Sequence, residues 1–174
     1  RVGCAIARAG LVEGDGETQQ GIFDLSYLGT IPNMSIFAPK NDSELAAGLE
    51  FGLMNYNGPF AIRYPRGKAC TRFREFNEPV LYGKSEVLYM EKDIALLAVG
   101  SMVETASDVR DKLKEKGYNV SLINARFVKP VDTTVIHRCA DNHQLLVTLE
   151  ENVYTGGFGE RVCHYVEEAC LNIK

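Results

Sequence analysis

The sequence predicts an α/β protein whose second half carries a mainly parallel sheet. Three observations lead there. The 174 residues are 45% hydrophobic and 24% charged, the make-up of an ordinary globular chain. Residues 93–174 alternate strand-like apolar runs with helical stretches. Ile94–Val99 is apolar throughout, as expected of a strand covered on both faces. Strand and helix in strict alternation imply right-handed crossovers between parallel neighbours.

The first half is α/β as well. Val2–Ala7 reads as a strand, and residues 10–21 as a long loop punctuated by Gly10, Gly14, Gly16 and Gly21. Phe23–Leu28 is expected to form a short helix and Ser35–Ala38 a strand. Asn41 and Glu44 bracket the start of the next helix, with Leu45, Leu49 and Leu53 as its apolar side. Phe60–Tyr64 is a further strand, closed by Pro65-Arg66-Gly67. Three short strands and few helices are too little for a closed doubly wound layer. Residues 1–68 are therefore expected to be the tail of a larger domain.

Residues 69–92 hold no long helical pattern and read as a linker running into short strands. After the Ile94–Val99 strand, Ser101 followed by Glu104 matches a capping box. Met102, Ala106, Val109 and Leu113 then trace one apolar stripe. Lys112, Lys114 and Lys116 suit the negative helix end, and Gly117 supplies a left-handed exit. Asn119–Asn124 is a strand, and Pro130 is expected to open a helix that continues over Asp132–Ala140. Gln144–Leu149 is the third strand of this half. Beyond Gly156-Gly157-Phe158-Gly159, the residues Val162, Tyr165, Val166 and Ala169 mark the last helical face.

Charge and cysteine usage exclude several functions. Nineteen Lys and Arg against 23 Asp and Glu leave a formal charge of −4, without the basic surface that a nucleic acid requires. No window approaches the ~18 apolar residues of a membrane span, and the first ten residues lack the pattern of a secretory signal. Five cysteines without a CxxC pair read as reduced, mostly buried thiols of a cytoplasmic protein, with Cys163 and Cys170 on one helical face.

Candidate chemistry concentrates in the first half. The glycine-rich loop follows a strand, at the edge of a parallel sheet where ligands bind; a plain surface loop is the alternative. Arg8, Arg63 and Arg66 leave two strands that can share one rim. Guanidiniums there would hold a phosphate by paired hydrogen bonds, unless they are neutralised by Glu13, Asp15 or Asp24. His137, His143 and His164 sit beside no nucleophile motif and read as surface or packing residues. Glu150-Glu151 end a strand, where capping or solvation competes with acid–base work.

Longer words in the sequence carry a family resemblance. They are Arg8-Ala9-Gly10, Asp15-Gly16-Glu17-Thr18, Gly21-Ile22-Phe23-Asp24-Leu25-Ser26-Tyr27-Leu28, Ile31-Pro32-Asn33 and Ala61-Ile62-Arg63-Tyr64-Pro65-Arg66-Gly67. In the second half they are Asn124-Ala125-Arg126-Phe127-Val128-Lys129-Pro130-Val131-Asp132 and Thr148-Leu149-Glu150-Glu151-Asn152. Together they resemble the 1-deoxy-D-xylulose-5-phosphate synthases of the transketolase family, over essentially the whole chain.

The resemblance implies the end of a pyrimidine-binding-type domain over residues 1–68, a linker over 69–92, and a transketolase C-terminal-type domain over 93–174. It also implies a thiamine diphosphate- and Mg²⁺-dependent transferase. That enzyme condenses pyruvate with glyceraldehyde 3-phosphate, releasing CO₂ and supplying isoprenoid and thiamine biosynthesis. A cytoplasmic homodimer is expected, or a plastid one in a eukaryote. Arg8 and Arg66 fall where the family holds the acceptor phosphate, and Asp15 falls on the loop beside the active site, where the resemblance implies that it orients Arg8 or a substrate hydroxyl. Gln19 stands where the family pattern has His, so it is carried over as a positioning residue and not as a proton carrier. No cofactor-binding or metal residue is assigned to this chain. The family's diphosphate site and activating Glu precede its first residue, so the chain alone is expected to be inactive. A transketolase, a 2-oxo acid dehydrogenase component and a non-catalytic assembly domain are the alternatives.

Overall fold

The computed structural model of the chain describes residues 2–174. It contains two four-stranded sheets, and the fold class expected from the strand–helix alternation holds in both halves. In the first sheet, β1 (Gly3–Ile6) and β2 (Ser35–Phe37) flank β3 (Phe60–Arg63), both in parallel. Its fourth strand is β7 (Phe127–Lys129), which comes from the second half and pairs antiparallel with β2. In the second sheet, β5 (Asp93–Ala98) lies between β6 (Val120–Asn124) and β8 (His143–Leu149), parallel to each. β4 (Glu86–Tyr89) adds an antiparallel edge beside β6. The helices are α1 (Asp24–Gly29), α2 (Asp42–Glu50), α3 (Met102–Glu115), α4 (Thr133–Asn142) and α5 (Phe158–Glu168).

The two halves share a core. Leu25, Ile36 and Ala61 from the first half are buried in one cluster with Ile123, Val135 and Phe158 from the second. Phe127 enters an aromatic cluster of the first half, its ring centroid 5.0 Å from that of Phe37 and 6.0 Å from that of Phe51. A buried ionic group adds a second link. Lys40 Nζ lies 2.6 Å from Glu86 and 3.3 Å from Glu44, while Arg126 lies 2.6 Å from Glu44 and 2.7 Å from Glu86. Asn124 Nδ2 donates to both Glu44 oxygens, at 2.9 and 3.0 Å. Two cations and two anions balance, which makes their burial tolerable.

Four local expectations need correction. Asn41 does cap α2, accepting from the Glu44 amide at 2.9 Å, but the buried face is Glu44, Gly48 and Phe51. Leu45 is half-buried, while Leu49 and Leu53 are 38% and 62% exposed. The Phe37 ring decides this face. It lies against the backbone at Gly48, where a Cβ would collide with it. A π-helical turn over Phe51–Asn55 then rotates the chain off the simple stripe.

Pro130 does not open α4. Lys129 before it is extended, as a residue preceding proline prefers, and ends β7. Asp132 caps the helix instead, its carboxylate accepting from the Thr134 and Val135 amides. Ser101 is no cap either. It already has helical dihedrals, and its hydroxyl donates to Glu151 at 2.5 Å. The stripe behind it is present, with Ala106 and also Val103 fully buried and Met102, Val109 and Leu113 half-buried. Gly117 makes its left-handed exit at φ +90°.

The cysteines are the fourth correction. Of the five thiols only Cys139 is buried; Cys4 and Cys70 are partly covered, and Cys163 and Cys170 are exposed. α5 ends before Cys170, so those two share no helical face.

Candidate functional site

The loop after β1 is closed by its own backbone. The Gly10 amide donates to Gly21 O at 2.9 Å, and the Gly21 amide donates back to Gly10 O at 3.0 Å. Ala9 is held to the end of β3 by its amide, 3.1 Å from Tyr64 O. Gly21 must be glycine, because a Cβ there would overlap the Arg8 carbonyl oxygen. Within the ring, the Gln20 carboxamide accepts from the Val12 amide at 2.7 Å and donates to Val12 O at 3.2 Å and Asp15 O at 3.0 Å. One polar side chain thus satisfies backbone groups that the irregular loop would leave unpaired.

This closure assembles the sequence-predicted residues. The Asp15 side chain is 2% exposed and lies under two guanidiniums, those of Arg8 and Arg66, whose side chains are 44% and 54% exposed. Arg66 donates to Asp15 Oδ1, and Arg8 Nη1 stands 3.7 Å from the same oxygen. Gln19, in a single 3₁₀ turn over Glu17–Gln19, accepts from Arg8 through its side-chain oxygen. Asp15 Oδ2 is buried without a hydrogen-bond partner. Two cations over one carboxylate leave a local excess of one positive charge on a chain whose formal charge is −4. The outer guanidinium faces remain open to an anion.

Arg63 departs from the rim. It is buried, with Nε 2.5 Å from Asp24 Oδ2 and Nη2 donating to Gly21 O at 2.8 Å and Glu151 O at 2.6 Å. Successive strand residues face opposite ways. Arg63, still in β3, points under the loop, and Arg66 leaves after Pro65 to reach its outer side. All three arginines thus meet a carboxylate, Arg63 in the interior at Asp24, and Arg8 with Arg66 at Asp15 on the exposed rim.

The histidines take no part. His137 pairs with the Tyr165 hydroxyl at 2.9 Å, and His164 stands 3.8 Å from Glu168. His143 is buried between Ser121 Oγ at 2.7 Å and Cys139 O at 3.0 Å. Glu150 caps α5, accepting from the Phe158 and Gly159 amides at 2.8 Å each. Glu151 turns the other way, toward the loop.

Beside Arg66 a cleft of about 350 Å³ opens between the halves, lined by Tyr64, Pro65, Lys68, Cys70 and Ser101 among others. Burial raises the Cys70 thiol pKa, so it stays protonated and is a poor nucleophile. Among the described residues, no group of three or more His, Cys, Asp and Glu side chains is placed to hold a metal ion. No described helix is long and apolar enough to cross a membrane. The residues that sequence reasoning missed are the supports, namely Gln20 and the loop-facing role of Glu151. Neither lies in a recognisable spacing, because both act across a loop closure.

Comparison with known proteins gives concordant matches. Residues 1–71 match the model of the transketolase pyrimidine binding domain, and residues 83–174 that of the transketolase C-terminal domain. The 1-deoxy-D-xylulose-5-phosphate synthase of Lachnoclostridium phytofermentans is 46% identical over 164 residues, covering 94% of this chain and 26% of that protein. The synthase of Clostridium tetani is 45% identical over 170 residues, covering 98% of this chain and 27% of its own. That of Thermosynechococcus vestitus is 44% identical over 164 residues, with 93% and 26% covered. The chain thus spans about a quarter of the length of these relatives. A solved split gene transketolase, described as an inactive β4 tetramer, superposes with a TM-score of 0.85 at 26% identity, over 96% of this chain and 53% of that one.

Proposed function

The chain belongs to the transketolase family, and from that premise we propose that it is the acceptor-binding portion of a 1-deoxy-D-xylulose-5-phosphate synthase. In this reading the parent enzyme condenses pyruvate with glyceraldehyde 3-phosphate, with loss of CO₂, toward isoprenoid and thiamine biosynthesis. Residues 1–68 end its pyrimidine-binding domain, residues 69–92 link, and residues 93–174 form its carboxy-terminal domain. A cytoplasmic homodimer completes the proposal, with a plastid location in a eukaryote.

The observation that carries it is the buried Asp15 beneath the exposed Arg8 and Arg66. Arg8 and Arg66 bind the acceptor phosphate by charge-assisted hydrogen bonds. Asp15 holds the two guanidiniums oriented from beneath. Gln19 steadies Arg8 and offers its amide hydrogens to substrate oxygens, and it moves no proton. Thiamine diphosphate, bound with Mg²⁺ by the rest of the parent enzyme, supplies the capacity to take two carbons from pyruvate as a nucleophile.

The test is an assay of the full-length parent for CO₂ and deoxyxylulose phosphate. Arg8→Ala and Arg66→Ala are each expected to raise KM for glyceraldehyde 3-phosphate by about tenfold and to leave KM for pyruvate unchanged. Unchanged acceptor KM in both variants would overturn the assignment. Two-carbon transfer from a ketose phosphate donor, with no CO₂ released from pyruvate, would point to a transketolase instead. Gln19→His is expected to raise the rate and add an acid limb near pH ~6.5, the range of an imidazole; no activity either way would favour an assembly role. The chain alone is expected to be inactive, and a solved relative described as an inactive tetramer supports this. Titration calorimetry checks it. Micromolar binding of thiamine diphosphate with Mg²⁺ to the isolated chain would contradict the reading.

A further inference from the structure

Glu151 closes β8's exit loop in the carboxy-terminal half, yet its carboxylate works on the first half. Oε1 accepts from the Leu11 amide at 3.2 Å, and Oε2 accepts from Ser101 Oγ at 2.5 Å. Its own carbonyl accepts from Arg63 Nη2 at 2.6 Å, and two residues on, the Val153 amide donates to Ile22 O at 2.8 Å. The carboxylate therefore grips the start of the glycine-rich loop while its backbone and neighbour grip the end.

Two sequence features acquire a reason here. Gly10 has φ +78°, and a Cβ on it would lie 2.5 Å from Glu151 Oε2 and 2.6 Å from Oε1. Glycine at position 10 thus makes room for this carboxylate as well as for the turn. Ser101 has the neighbours of a helix cap but directs its hydroxyl to Glu151 instead. Among the described residues Glu151 is held by neutral donors, with no cation in an ion pair. A carboxylate aimed by neutral donors at a backbone amide sets a position more than it neutralises a charge.

We propose that Glu151 is a positioning residue for the acceptor-phosphate loop, through which the carboxy-terminal domain sets the placement of Arg8 and Asp15. The inference rests on the function proposed above. Gly10 and Leu11 follow Arg8 after the single residue Ala9, and the Gly10–Gly21 pairing connects that end to Gln19 and Gln20. Releasing the Leu11 amide frees the loop at its root, and the cost falls on a substrate that needs two guanidiniums at fixed spacing.

The experiment has two arms. In the first, Glu151→Ala and Glu151→Gln are made in this chain, and amide hydrogen exchange is followed. Glu151→Ala is expected to speed exchange over residues 10–21 by about tenfold, with β5 and β6 unchanged. Glu151→Gln retains most protection, because an amide can accept from Leu11 N and donate to Ser101 Oγ. In the second arm the same variants are assayed in the full-length parent. Glu151→Ala is expected to raise the acceptor KM by about tenfold with pyruvate KM within about twofold, and Glu151→Gln to recover most of the loss. Ser101→Ala, which removes one donor only, gives a smaller shift in the same direction. Unchanged loop exchange overturns the proposal, and so does a loosened loop with unaltered acceptor KM. If the wild-type parent lacks the synthase reaction, the functional reading fails on its own. Inorganic phosphate affinity then replaces KM: a drop in Glu151→Ala upholds the positioning role, and no drop overturns it.

Discussion

Asp15 is a carboxylate with 2% of its side chain exposed, in contact with two arginines that are largely open to water. A buried carboxylate needs opposite charge close by, and the two guanidiniums supply it. The cysteines obey the same physics without such compensation. The Cys139 thiol is pushed up to about 11, mainly because its apolar surroundings disfavour the thiolate. Cys163 and Cys170 lie in water. In a thiol-labelling time course at mildly alkaline pH, the exposed Cys163 and Cys170 are expected to react first. Cys139 should react only once denaturant is added. Mass spectrometry of the labelled peptides checks this, and early labelling of Cys139 in the native chain would contradict the burial. Tyr56 behaves similarly. Desolvation, and after it the hydrogen bond to the Tyr82 hydroxyl at 3.5 Å, raise its phenol to about 12.

α3 is fastened to the second sheet by more than its apolar stripe. Glu91, just past β4, takes Lys114 Nζ at 2.6 Å and also the guanidinium of Arg110. Arg110 in turn lies 4.0 Å over the Tyr89 ring. The hydrogen bond from Lys114, then that from Arg110, lower the Glu91 pKa from its ordinary 4.5 against some desolvation. A lowered carboxylate pKa means that the charged form stabilises the fold. This contribution is present above the ordinary range and is lost as pH falls through the folded-state value. Glu91→Gln is expected to cost about 1 kcal/mol at neutral pH, the size of a partly exposed ion pair. The gap to wild type should close as the pH falls below 4.5, in urea unfolding followed by circular dichroism. A gap that persists at acid pH would mean the loss is one of packing.

At the scale of the molecule, the Lys40–Glu44–Glu86–Arg126 group and the shared core make the halves one cooperative body. Arg126→Met strands two buried carboxylates on one lysine and is expected to cost about 3–5 kcal/mol in urea unfolding. Amide protection in β2 and β3 should fall together with that in β5 and β6, and loss confined to one sheet would show the halves to be independent. Much of this architecture was legible in the chain. Strand–helix order, the Asn41 cap, the Gly117 exit and the last helical face all follow from neighbours a few residues apart, where periodicity and capping operate. The family words marked Arg8, Asp15, Gln19 and Arg66, and the chemistry of guanidinium, carboxylate and amide defined what each can offer. Local rules could not assign Arg63 to Asp24 while Arg66 reached Asp15, or pair β7 with β2, or turn Ser101 from its helix to Glu151. Those choices are made between groups up to 93 residues apart, as at Ile36 and Lys129. They were decided only when packing removed water and left each buried donor and charge the partner that the tertiary structure brought within reach.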